Sequence, residues 1–411
     1  MKAKEQVILV ARKDPQEQEE RFQSSLEELQ SLTETANGEV CKVITQNRDR
    51  VHPATYLGQG KLEEIKEAAD EIDADLVIFN DELSPGQLRN ITDRIERRVI
   101  DRSQLILDIF AGRARTKEGK LQVELAQLQY LLPRLAGQGT ELSRLGGGIG
   151  TRGPGETKLE TDRRHIQRRI DDIKTRLNTV VKQREQYRKR RKENMAFQIA
   201  IVGYTNAGKS TFFNRVTESE SFEEDLLFAT LDPLTRQMSL PSGFQALISD
   251  TVGFIQDLPT TLIAAFRSTL EEVSEADFII HMVDASHPDH IQQERTVLRL
   301  LEELEAGHLP ILTVYNKKDL LNDDFIPNIH PSLTVSVHDR IDIKRILDKV
   351  EGVLKEEWHE YDLFLPASDG KLLQQFKKYS MITSLQFLEE KEGYALHGFI
   401  HPEHPLKHQI L

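Results

Sequence analysis

Residues 197–216 read FQIAIVGYTNAGKSTFFNRV: an apolar run, a glycine-bearing turn, then an amphipathic run opening on Lys-Ser-Thr. The turn has the spacing Gly203-x-x-x-x-Gly208-Lys209-Ser210, which gains its meaning between a strand and a helix. A buried strand that delivers the chain to a helix leaves the first helical N–H groups without internal partners, so the junction is a ready anion cradle. The middle of the chain must therefore build a mostly parallel sheet covered by helices. At 411 residues the chain is too long for one core, so further domains must flank this one.

The cradle is assigned to Gly203, Tyr204, Thr205, Asn206, Ala207, Gly208, Lys209, Ser210 and Thr211. Loop N–H groups surround a β-phosphate, Lys209 brings its charge to the β and γ phosphates, and the Ser210 hydroxyl ligates Mg²⁺. LISDTVGF then ends a strand with Asp250, placed to hold Mg²⁺ through water. Thr251 and Val252 lead to Gly253, whose N–H can meet a γ-phosphate. PILTVYNKKDL ends another strand with Asn316, Lys317, Lys318 and Asp319. A carboxylate at Asp319 accepts both N1–H and the 2-amino group of guanine, and adenine presents neither, so ATP would leave a charge unpaired. Asn316 is expected to buttress the loop, and the Lys317 stem to cover the base. After LTVSVH, the backbone of Ser336, Val337 and His338 is expected to reach guanine O6.

Between the cradle and Asp250 lies FATLDPLTRQ, with Phe228, Ala229, Thr230, Leu231 and Asp232 as the segment that closes on nucleotide. Thr230 is the candidate ligand to Mg²⁺ and γ-phosphate, and Thr235 its competitor. Catalysis is thus assigned to Lys209, Thr230 and Gly253. RQMSLPSGFQALISD predicts a hairpin turned at Pro241-Ser242-Gly243. The order and spacing of these pieces match the translation-factor-related GTPases. Phe254 stands where many small GTPases carry a glutamine that orients the attacking water. A phenyl ring can neither donate nor accept a hydrogen bond, so unaided hydrolysis should be slow. Asn206 occupies the place of a K⁺ ligand in potassium-activated relatives of this class.

The flanks read as three further domains. Residues 1–115 alternate strand-like QVILVA, EVCKVITQ, ADLVIFN and QLILDIF with amphipathic runs, including one capped at Ser84 with Pro85 as its first residue. This predicts a small, mostly parallel α/β domain without a catalytic constellation. Residues 116–195 predict an antiparallel helical hairpin. Leu121, Leu125, Leu128 and Leu132, and Ile166, Ile170, Ile173, Leu177, Val180, Arg184 and Tyr187, fall at heptad a and d positions. Thr157 and Glu160 have the spacing of a capping box for its second helix. Gly148, Gly150 and Gly153 spell G-x-G-x-x-G, but they follow the helical run VELAQLQYLLPRL where a dinucleotide turn requires a strand. They belong instead to a tip loop, about 134–157, whose Arg134, Arg144 and Arg152 are candidate RNA contacts. The GTPase domain covers 196–362, and a small α/β domain, punctuated by Pro366 and Gly370, covers 363–411.

A net charge of −13, taken alone, argues against nucleic acid, yet between Lys158 and Glu193 there are 14 Lys and Arg against six Asp and Glu, a local +8. The apolar stretch near the N-terminus is too short for a signal peptide, and no run is long enough for a membrane span. Cys41 is the single cysteine, so no intrachain disulfide or Cys-based zinc site can form. A cytoplasmic monomer is expected.

GGGIGTRGPGETKLE at 146–160, together with the P-loop, FATLD, DTVGF and NKKD, closely resembles the HflX family of ribosome-associated GTPases over nearly the whole chain. SVH at 336–338 departs from the commoner SA. The resemblance implies a factor that binds the large ribosomal subunit and whole ribosomes and hydrolyses GTP faster there. It also implies splitting of stalled or hibernating ribosomes under heat or antibiotic stress, with the tip loop near the peptidyl-transferase centre. The alternative is a GTP-regulated RNA-remodelling or ribosome-assembly protein, which would need a second catalytic cluster.

Overall fold

The computed structural model describes residues 4–135, 154–193, 195–217, 227–228, 230–231, 233–255, 272–321 and 325–410. The chain divides into two compact units, the first built mainly from residues 1–183 and the second mainly from residues beyond 183.

The first unit runs β1 (Glu5–Lys13), α1 (Glu19–Thr35), β2 (Gly38–Asn47), α2 (Gln59–Glu71), β3 (Leu76–Phe79), α3 (Pro85–Ile95), β4 (Arg98–Asp101), α4 (Arg102–Arg113) and α5 (Lys117–Leu135). Its sheet has the order β2-β1-β3-β4 and every pair is parallel. Val7 to Ala11 are at most 1% exposed, as a central strand covered on both faces requires. α3 starts as expected: Ser84 accepts from Gln87 N, and the Gln87 side chain returns to the Ser84 N–H.

The fourth expected strand is a correction. QLILDIF lies in helix α4, and the fourth strand is the preceding RVID. Leu105, Ile106, Leu107, Ile109 and Phe110 are all buried, so apolar residues cover most of this helix, and the narrow exposed face at Asp108, Ala111 and Gly112 barely marks its period. Asp101 gives the start signal by accepting from Gln104 N at 2.9 Å.

Helix α6 (Pro154–Glu193) begins before Thr157, so that residue lies inside the helix and not at its cap. Ile166, Ile170, Ile173, Leu177, Val180 and Arg184 are the protected stripe on a largely exposed helix, at the heptad spacing expected. Arg169 donates to both Glu124 carboxylate oxygens of α5 at 2.6 and 2.9 Å. At 40 residues α6 is about 60 Å long.

The second unit holds β5 (Gln198–Gly203), α7 (Lys209–Thr217), β6 (Leu234–Ser239), β7 (Gln245–Asp250), β8 (Phe278–Asp284), α8 (His290–Glu303), β9 (Ile311–Asn316), β10 (Ser332–Thr334) and α9 (Arg340–Glu357). The six strands are ordered β10-β9-β8-β5-β7-β6, and only β6 with β7 is antiparallel. Their hairpin turns where expected, with Gly243 at φ 84° and its N–H on Leu240 O. The C-terminal elements β11 (His359–Pro366), α10 (Gly370–Tyr379), β12 (Ser380–Leu388) and β13 (Gly393–Ile400) form an antiparallel sheet β11-β13-β12. An aromatic block of Phe197, Phe244, Trp358 and His401, with ring centroids 5.2 to 6.5 Å apart, joins this small sheet to the six-stranded one. The fold is mixed α/β around a P-loop domain, as the sequence implied.

Candidate nucleotide-binding site

β5 is the central buried strand, and its C-terminal end forms the cradle. Gly203 leaves the strand at φ 153° against the Met282 carbonyl, where no Cβ could fit. Asn206 takes a left-handed conformation, φ 61°, and Gly208 has φ 92° with the Asn316 side chain where a Cβ would stand. α7 then begins at Lys209, with no acidic residue in its first turn to compete for an anion. Lys209 is 6% exposed and donates to Tyr204 O at 2.6 Å. Burial pushes its ammonium down to about 8, against the pull of Asp250.

Ser210 Oγ donates to Asp250 Oδ2 at 2.8 Å, and Asp250 is fully buried. A hydroxyl and a carboxylate converging at a helix N-terminus beside a phosphate cradle form a hard oxygen set that fits Mg²⁺. Thr251 Oγ1 anchors the next turn on Ile201 O at 2.7 Å. Beyond it, Thr205 N donates to Phe254 O at 2.8 Å and Phe254 N to Gly203 O at 3.1 Å. Gly253 thereby lies on the cradle: a Cβ there would come within 2.8 Å of Thr205 Cγ2 and 3.0 Å of Lys209 Nζ. The Phe254 ring is 5% exposed.

The base end is interlocked. Asn316, 2% exposed, donates from Nδ2 to Ala207 O at 2.9 Å and accepts at Oδ1 from Val337 N at 3.0 Å. One amide thus ties β9, the cradle and the loop after β10. Lys318 N donates to Val335 O at 3.0 Å. The Ser336 hydroxyl bonds the exposed Asp319 carboxylate and is the main reason its pKa is lowered. Ser336 N in turn donates to Asp342 Oδ2 at 2.9 Å. His338 is exposed at the rim.

Sequence reasoning missed Asp342 and Asp284. Asp342 is 5% exposed in the first turn of α9, and Asp284 ends β8. The only sequence-level signal was a carboxylate closing the apolar run FIIHMVD.

Thr235 faces Ser249 on the hairpin, hydroxyl to hydroxyl at 2.8 Å, which commits it to the sheet. Phe228, Thr230 and Leu231 belong to the first unit. There the Phe228 ring meets Phe110 edge-on at 4.6 Å, and Leu227 N donates to Thr35 Oγ1 at 3.3 Å. Ala229, Asp232, Arg144 and Arg152 lie outside the described residues, as do Gly148, Gly150 and Gly153.

Arg134 corrects an expectation. Its guanidinium lies 3.3 Å from the centroid of the Tyr130 ring and bonds Leu83 O at 2.8 Å and Asp101 Oδ2 at 3.3 Å. With its side chain 11% exposed, it braces the first unit and is not presented to RNA. Among the described residues no group of three or more His, Cys, Asp and Glu could hold a metal, and no helix is long and apolar enough to cross a membrane.

Three family models cover most of the chain: residues 23–111 match one described as GTP-binding GTPase N-terminal, 113–191 its middle region, and 198–317 a 50S ribosome-binding GTPase. The GTPase HflX of Alkalihalophilus pseudofirmus is 55% identical over 395 residues, spanning 96% of this chain and 93% of the relative. The chain belongs to the HflX family of GTPases. The GTPase HflX of Escherichia coli strain K12 is 43% identical, over 92% of this chain and 90% of the relative. A solved structure, described as the complex of SsGBP with GDP, aligns over 85% of this chain and 98% of its own with a TM-score of 0.50 and 25% identity. Membership in HflX bears out the resemblance drawn from the glycine-rich and NKKD motifs, and it assigns GTP hydrolysis to the chain.

Proposed function

We propose that the chain is a GTP-controlled factor that binds the large ribosomal subunit and whole ribosomes, hydrolyses GTP faster there, and splits stalled or hibernating ribosomes during stress in the cytoplasm. One observation carries the reading: a guanine reader interlocked through Asn316 shares its chain with the long basic helix α6, inside the segment that matches the HflX middle region. The match of residues 198–317 to a family described as 50S ribosome-binding supports it further.

In this reading Gly203 to Thr211 wrap the phosphates, and Lys209 neutralises the β and γ groups. Ser210, Thr230 and, through water, Asp250 would hold Mg²⁺, which would offset phosphate charge. Gly253 offers its N–H to the γ-phosphate, and Phe228 to Asp232 close over the nucleotide. Asp319 reads N1–H and the 2-amino group, Lys317 covers the base, and the backbone from Ser336 to His338 meets O6. Asn206 is a candidate K⁺ ligand. Phe254 has no group to orient water and its backbone is pinned to the cradle, so intrinsic turnover is slow. The ribosome then supplies what is missing, while Arg144 and Arg152 contact RNA at the tip.

The test is co-sedimentation of the full chain with large subunits, carrying GDP or a non-hydrolysable GTP analogue, alongside GTP turnover with and without subunits. Retention is expected with the analogue and to fall steeply with salt, and turnover should rise roughly tenfold or more. Equal retention with both nucleotides and flat turnover would overturn the reading and leave an RNA-remodelling or assembly protein.

A further inference from the structure

The recognised motifs do not include the carboxylate that faces the base-covering lysine. Lys317 has left-handed backbone, φ 62° and ψ 36°, and its ammonium lies 2.7 Å from Asp284 Oδ2. The two side chains are only 25% and 12% exposed. Asp284 is the last residue of β8 and stands beside Asn316 in the sheet register. Its other oxygen accepts from Ser286 N at 3.0 Å and Ser286 Oγ at 2.6 Å, and Ala285 N donates to Asn316 O at 3.0 Å. The carboxylate is therefore fixed on both oxygens, by Ser286 just past β8 and by Lys317 just past β9, the strand end that carries the base reader.

A free lysine stem has several rotatable bonds and sweeps a wide arc. Here one end is set by the backbone and the other by Asp284, which turns four methylenes into a fixed bar. From this we propose that Asp284 is a positioning residue for guanine specificity: by anchoring the Lys317 ammonium it fixes the wall against which the base lies, in the plane of the Asp319 carboxylate. This rests on the guanine-site reading of Asn316 to Asp319 and adds the determinant of its geometry.

Two physical consequences follow. Asp319 distinguishes guanine from hypoxanthine only through the second hydrogen bond, to the 2-amino group. Two parallel bonds to one carboxylate require coplanarity, whereas a single bond tolerates tilt. Loosening the wall therefore costs guanine more than hypoxanthine. Asp284 also occupies an ammonium that already lowers the Asp319 pKa through space; released, it would compete with the base for that carboxylate.

The experiment measures equilibrium affinities of the full-length chain for GDP, IDP and XDP by displacement of a fluorescent GDP. Asp284→Asn should weaken GDP about tenfold and shrink the GDP-to-IDP ratio roughly threefold. Asp284→Glu should recover part of that ratio. Asp284→Asn in a Lys317→Met background should add little to Lys317→Met alone, because the two residues act through one contact. Mere loosening of the fold would reduce the active fraction and leave the ratio alone. An unchanged ratio in Asp284→Asn overturns the inference. Asp319→Asn, which exchanges an acceptor for a donor, should shift preference to XDP. If it does so while Asp284→Asn leaves the ratio untouched, only the role of Asp284 falls. If Asp319→Asn still prefers GDP, the guanine reader lies elsewhere and both readings fall.

Discussion

Two strand-to-helix crossings in this molecule occupy the same place in their sheets and differ in chemistry. β1 lies between β2 and β3, and β5 between β7 and β8, each where the strand order reverses and a crevice opens at the strand ends. After β1 the chain passes through Asp14 and Pro15, and α1 opens on Glu19 and Glu20. Those carboxylates occupy the positive end of the helix, Lys13 pairs with Glu19, and Asp14 bonds its own loop at Gln16 N. After β5 two glycines with positive φ let the backbone curl, and α7 opens on Lys209 and Ser210. One crossing puts carboxylates at its helix start; the other puts a lysine and a serine there. Architecture supplies a crevice at both, and half a dozen loop residues decide which can hold phosphate.

The largest effect that separates the two is removal of the cradle charge. Lys209→Ala should weaken GDP and GTP binding more than about 100-fold with secondary structure intact, as read by calorimetry and circular dichroism. Retained affinity would place the phosphates elsewhere. A smaller effect comes from pH. The Lys209 pKa in the free protein, about 8, lies below its ordinary value, and an adjacent phosphate must raise it again. Binding therefore takes up a proton above pH 8, and affinity should fall as pH rises from 8 towards 10, by at most about tenfold per unit. A flat profile would mean the ammonium is not set by burial. The smallest effect is at the first crossing. Glu19→Gln with Glu20→Gln, placed in the Lys209→Ala background, should leave the melting temperature within about 2 °C and create no nucleotide binding. New affinity would show that charge alone, without the glycine curl, makes a phosphate site.

What could be read from the sequence follows from how far each signal reaches. The cradle, Asp250 and Asn316 to Asp319 are runs of adjacent residues whose chemistry is local, so each was found with its strand. α4 was misread because its one exposed face, Asp108 with Ala111 and Gly112, carries too little polar pattern to betray its period; Asp101, as its cap, was the better signal. Arg134 looked free beside a glycine-rich stretch, yet its partner Asp101 is 33 residues away. Asp284 and Asp342 were invisible for the same reason. Asp284 meets Lys317 only because β8 and β9 are neighbours, and Asp342 meets Ser336 only because a helix turns back on the loop it follows.

β5 has one more role. Phe197, at its entry, is wedged among Trp358, Phe244 and His401, and Gly203, six residues on, is the first residue of the phosphate cradle. The strand therefore spans about 20 Å, with the aromatic block at its entry and the phosphate cradle at its exit. One strand thus serves two packing tasks, holding the C-terminal sheet through Phe197 and starting the cradle at Gly203.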